Sequence, residues 1–183
     1  MIAWHFVGDK LRDGRDIPPV GIPLIHVGEL EICQSGLHAS VDPFDALKYA
    51  PGNNLCKVEC SGKVVYGEDK LVCTERTILK SVNFEDKLFE FSRKCALDVV
   101  HLWDAPEEVL IYLYTGKNRS AARSAARSAA WSAARSAAQG AAQGAAWSAA
   151  WSAAQSAARS AARSASQSDQ RKRFNQIVEE TFK

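Results

Sequence analysis

The chain has 183 residues, which fits one ordinary domain or a small domain with an appendage. Its formal net charge of +2 hides a split: residues 1–118 hold 13 Lys/Arg against 18 Asp/Glu, a net of −5, while residues 119–183 hold 10 against 3, a net of +7. This excludes one evenly charged body and implies two parts that have different partners or attract each other.

IAWHFV opens the chain as a short apolar strand closed by Gly8-Asp9. After a polar loop, the prolines of IPPVGIP exclude helix, and LIHVGELEIC suits a strand or a hairpin. Asp42-Pro43 then begins a short helix, with Asp42 as cap and Pro43 at the first helical position, and Pro51-Gly52-Asn53-Asn54 stops it. LCKVECSGKVVYG reads as two strands joined in a hairpin at Ser61-Gly62-Lys63, and TERTILKSVNF as one more strand. From Phe84 the period becomes helical, with Leu88, Phe91, Cys95, Val99 and Leu102 on one face. A second helix is expected to start at an Asp104 cap with an early Pro106 and to end at Gly116. Trp4 and Trp103 are expected in the core.

All five cysteines precede residue 96; an odd count, and an N-terminus without a long apolar run, suggest reduced thiols in the cytoplasm. Cys56-x3-Cys60 is half a zinc site at most, since LCKVEC reads as a strand and a second close pair of ligands is missing. No metal site is expected. His5, His26, His38 and His101 are scattered singly, and neither a nucleophile elbow nor a Gly-rich phosphate loop occurs.

From Arg119 to Ser166 the chain repeats x-Ser-Ala-Ala, with six arginines and no acid. Alanine and serine favour helix over strand here, giving a rod of roughly 70 Å if continuous. Four residues turn an α-helix by about 400°, so each x residue is displaced by about 40° from the last and the large side chains spiral. That drift rules out a heptad coiled coil. Arg119, Arg123, Arg127, Arg159 and Arg163 make a basic surface, Trp147 and Trp151 fall on another side, and Trp131, Trp147 and Trp151 are expected at an oligomer contact. Gly140-x3-Gly144 near the centre is a closest-approach motif for two crossed helices, which points to self-association; a fold-back at those glycines is the alternative. Residues 136–158 are uncharged but hold no Leu, Ile, Val or Phe, so no membrane span is expected. A basic rod ending in Arg171-Lys172-Arg173 also suits nucleic acid. SDQRKRFNQIVEETFK is an amphipathic helix with Phe174, Ile177, Val178 and Phe182 on one face, broken or capped near Ser168 or Asp169.

Two resemblances attach to these residues. CQSGLHASVDPFDALKYA, KCALDVVHLW and the alanine-rich repeats together resemble a family of uncharacterised bacteriophage and prophage proteins, in which a Gly-x-His-Ala domain precedes alanine repeats. More locally, SGLHAS, Tyr49 and LCKVECSG are similar to the centre of ADP-ribosyltransferases. That similarity implies an NAD pocket with His38 and Tyr49 at the nicotinamide, His5 at the ribose and Glu108 as the catalytic glutamate. The alternative makes His38 and Tyr49 members of a strand–helix contact and Glu108 a first-turn acid.

The expected architecture is α+β: a head at residues 1–84, a helical hairpin at 85–118 packed on it, a tetrad-repeat helix at 119–168 and an amphipathic helix at 169–183. The leading function is that of a phage-type, homo-oligomeric interaction or scaffold protein whose repeat drives assembly and whose head binds an unknown protein partner. NAD-dependent chemistry and nucleic-acid binding are the alternatives.

Overall fold

A computed structural model of the chain describes residues 1–141 and 166–183. Two compact units emerge: Met1–Leu88 with Arg171–Lys183, and Phe89–Gln170. The second unit is therefore an insertion in the first, and the chain leaves the head and comes back to it.

The first unit is built on five antiparallel strands: β1 (Ile2–Val7), β2 (Pro23–Ile25), β3 (Leu37–Ala39), β4 (Asn54–Tyr66) and β5 (Leu71–Asn83). β4 lies between β1 and β5, and the other edge of β5 carries both β2 and β3. Trp4 and Ser40 then exchange two backbone hydrogen bonds of 2.8 and 2.9 Å, so the strands follow a closed path β1–β4–β5–β3–β1. Closure leaves fewer open backbone edges than a flat sheet of the same strands.

The hairpin expected at Ser61-Gly62-Lys63 is not there. β4 runs through it as one strand of 13 residues, and the register steps from Ser61↔Glu75 to Val64↔Cys73. Two residues thus oppose the single Thr74, which is a bulge with Gly62 at φ +70°. A Cβ on Gly62 would lie 2.1 Å from Thr74 Oγ1, the same atom that accepts a 3.0 Å bond from Lys63 N–H. The turn falls later, where Gly67 N–H bonds to Lys70 O at 2.8 Å. Bulges raise twist, and a second irregularity at Lys57/Val58 adds to the curl that lets the strands close.

Inside the ring, Ala3, Val7, Leu37, Cys56, Val58, Cys60, Leu71 and Cys73 form the buried core. α1 (Pro43–Leu47) is capped as its residues foretell: Asp42 Oδ1 accepts from Phe44 N–H at 2.8 Å, and Pro43 sits in the first turn. A helix at residues 166–182, α5, runs unbroken past Ser168 and Asp169. Within the head its apolar face is buried: Phe174 and Val178 are fully covered, and Ile177 and Phe182 nearly so. Phe174 meets Phe44 and Phe84 edge-on at centroid distances of 5.9 and 5.8 Å, and Phe182 meets Trp4 at 4.9 Å. This helix supplies the outer core of the head.

In the second unit, α2 (Glu85–Val99) crosses over from the first and ends in a short 3-10 turn, Val100–Leu102. α3 (Glu107–Thr115) is entered at Pro106 and not at Asp104, without a side-chain cap, and stops at Gly116 as expected. Proline has no N–H for a cap to satisfy and its fixed φ already suits a helix entry. Trp103 is 44% exposed and so is not core. α4 (Arg119–Ala141) packs on α3 and has no acid in its sequence. Its covered residues are Ala122, Ala125, Ala126 and Ala129, at i, i+3, i+4 and i+7. Arg119, Arg123, Arg127 and Trp131 all face outward. Over residues 119–132 the helix thus turns an alanine stripe inward and its x residues outward.

Candidate functional site

Closing the ring places His5, His38 and Arg76 in one electrostatic neighbourhood. β1 sets His5 opposite Cys56, and β4 sets Cys60 opposite Arg76. Arg76 is 5% exposed and donates from Nη1 to His38 O. Among the described residues it has no carboxylate partner; the ionisable groups it feels most are the thiols of Cys60, Cys73 and Cys56. Burial pulls its pKa down, but a guanidinium remains charged at any ordinary pH. An uncompensated buried charge is costly, so this interior favours negative charge beside Arg76.

The thiols respond accordingly. Cys60 donates toward Cys73, which together with burial holds the Cys60 proton on and makes Cys73 the more acidic of the two. When protonated, Cys73 donates to Leu37 O at 3.3 Å. Cys56, raised by burial, donates to Ser81 Oγ at 3.4 Å. Cys33 is exposed and Cys95 half-buried.

Burial weakens both histidines as bases. Burial first, then the Arg76 and His38 charges, push His5 well below the usual histidine range, so it is neutral. His38 Nε2 accepts from Cys33 N–H at 3.0 Å, and its Nδ1 donates to Gly36 O at 3.1 Å. A carbonyl only accepts, so Nδ1 carries the proton and both ring nitrogens are committed to the loop before β3. Burial also lowers the His38 pKa, helped by Lys70, Arg12 and Arg76. That loop needs Gly36: at φ +109° its Cβ would fall 2.2 Å from Val72 Cγ2 and 2.6 Å from Leu30 Cδ2.

Tyr49 stands at the surface, 48% exposed, donating to Asp69 Oδ2 at 2.7 Å, with Lys70 Nζ 4.1 Å over its ring. Its neighbour Lys48 joins Asp69 at 3.3 Å to Asp45 at 2.9 Å. Asp45 in turn meets Arg171 of α5 through two bonds of 2.8 and 2.9 Å, and Asp42 takes a third of 2.7 Å. Arg171 also covers the Phe44 ring at 5.1 Å. This clasp holds Asp45 below the usual carboxylate range, chiefly through Arg171, and raises Arg171. A cavity of about 350 Å³ opens beside it, lined by Trp4, Val41, Asp42, Asn175, Val178 and Glu179.

His5, His38 and Tyr49 thus belong to the head, whereas Glu108 is a first-turn acid of α3 in the second unit. Arg76 escaped the sequence reading, although Thr74-Glu75-Arg76-Thr77-Ile78 carried a signal: Arg76 shares strand parity with the buried Ile78. Of the repeat residues, Gly140 lies in the last turn of α4, and Gly144, Trp147, Trp151, Arg159 and Arg163 lie outside the described residues. Among the described residues, no helix is long and apolar enough to cross a membrane.

Residues 1–90 match a family described as a domain of unknown function, DUF7666, a span that takes in all five strands, α1 and the start of α2. No curated protein and no solved structure matches the chain.

Proposed function

We propose that this chain is a self-associating interaction protein, in which the inserted unit carries the contact surface and the head closes on itself. One observation carries the reading: the inserted unit leaves large apolar side chains in water. Leu102 is 71% exposed and Tyr114 70%, and Val99, Trp103 and Ile111 are also out. α2, amphipathic in sequence, has an apolar face that is half-buried with no residue fully buried. Exposed apolar side chains in such number mark surfaces that other molecules cover. A second copy is the simplest cover, and Leu102, Trp103, Ile111 and Tyr114, not the alanine stripe already packed within the unit, would make the contact. The head is the other half of the reading: its buried Arg76 and clasped α5 make a rigid support for a further partner.

Sedimentation velocity on the full chain tests this. The double variant Leu102→Asp, Tyr114→Asp is expected to shift the protein to a smaller species with unchanged helix content. A wild type that sediments as a single chain at every concentration sinks the proposal.

A further inference from the structure

The outward face of α4 invites a different ligand from the one its alanines pack against. Measured from Arg119, the covered Ala122, Ala125, Ala126 and Ala129 fall between about 240° and 340° around the helix, while Arg123, Arg127, Trp131 and Arg135 fall at about 40°, 80°, 120° and 160°. The two faces are roughly opposite, and all four of the latter side chains are exposed. Each step along this row rises about 6 Å. Packing within the unit therefore does not account for the x residues.

Charge sharpens the point. Arginines at i and i+4 repel one another, and a face kept only for hydration would alternate them with acids to gain pairs. α4 has no acid anywhere. Arg119 at the start of the row already lies over the Phe89 ring at 4.5 Å, and the positions beyond it point to solvent. A repeated cation with one aromatic on the same row matches how proteins hold single-stranded nucleic acid: guanidinium groups track successive phosphates and an aromatic ring stacks on a base. An anionic lipid surface fits less well. A helix lying in a bilayer interface needs a broad apolar face, and apart from Trp131 and the arginines α4 is Ala, Ser, Gln and Gly.

We infer that the Arg123–Arg127–Trp131–Arg135 row of α4 is a binding track for single-stranded nucleic acid, without sequence preference. Arginines contact phosphates and Trp131 stacks on a base. The inference does not rest on self-association, since it uses the outward row of α4 and none of the residues named for that contact.

The test is fluorescence anisotropy of a labelled 20-nucleotide oligothymidylate titrated with the full chain at several salt concentrations. Binding is expected to weaken with salt, and the variant Arg123→Gln, Arg127→Gln, Arg135→Gln should reduce the log–log salt slope by about 2, at about 0.7 per phosphate lost. Trp131→Ala should weaken binding about tenfold at constant slope. Circular dichroism confirms that both variants keep their helix. Absence of binding at low salt, binding untouched by both variants, equal affinity for a duplex of the same length, or a preference for anionic vesicles would each overturn the inference.

Discussion

Two helices of this chain, α4 with four arginines and no acid and α5 with three cations matched by three acids, meet opposite fates. α5 buries Phe174, Ile177, Val178 and Phe182 and becomes part of the head. Among its described side chains, α4 covers only small residues and sends Arg123, Arg127 and Trp131 outward. Side-chain volume at the inward positions makes the difference. A fully buried phenylalanine removes far more apolar area from water than an alanine, so α5 is held by the hydrophobic effect. An alanine stripe gains close approach but little burial, so α4 leaves its large side chains available for something else.

The firmest way to break that contrast is to remove the anchor of α5. Phe174→Ala empties the space between Phe44 and Phe84 and is expected to cost about 3–5 kcal/mol in chemical denaturation, loosening the head. Gly36→Ala comes next. Its Cβ has no room between Val72 and Leu30 and its φ is left-handed, so a loss of about 2 kcal/mol or more is expected in the same assay, with no change in α4.

Acid separates the two regions further. His5 is neutral in the fold but titrates near 6.5 when unfolded, so the unfolded chain binds the extra proton and stability falls as pH drops through 6.5. Asp45, depressed by Arg171, adds a second loss only as pH falls below 3.8. Urea midpoints at pH 7.5, 5.5 and 3 should therefore fall in two stages. His5→Leu is expected to flatten the first stage, part of which His38 retains because burial lowers it too. Arg171→Met should flatten the second and cost about 1 kcal/mol at neutral pH, since its side chain is one-third exposed. The smallest effect is expected from Trp131→Ala, within about 0.5 kcal/mol, because the ring is 74% exposed.

Much of this was legible locally. β1, the Asp42-Pro43 start of α1, the stop at Gly116 and the apolar face of α5 follow from residues within a few positions of one another. Non-local features were not. Ser61-Gly62-Lys63 offers a left-handed glycine, which serves a tight turn and a bulge equally well; only the continued pairing with β5 on both sides decides for the bulge. That α5 covers the head, across an insertion of more than 80 residues, rests on Trp4, Phe44 and Phe84, none near it in sequence. For the site, the resemblance that joined Glu108 to His5, His38 and Tyr49 spans two units, and His38 proves to be tied to backbone at both nitrogens. The buried Arg76 needed its strand parity with Ile78 to be read.

The central claim is that the inserted unit is an assembly surface and the head is not. Light scattering on the intact chain over a hundredfold range of concentration addresses it most directly. The account predicts a molar mass of two or more chains at high concentration, falling toward one on dilution. A mass of 20.0 kDa at every concentration would contradict it.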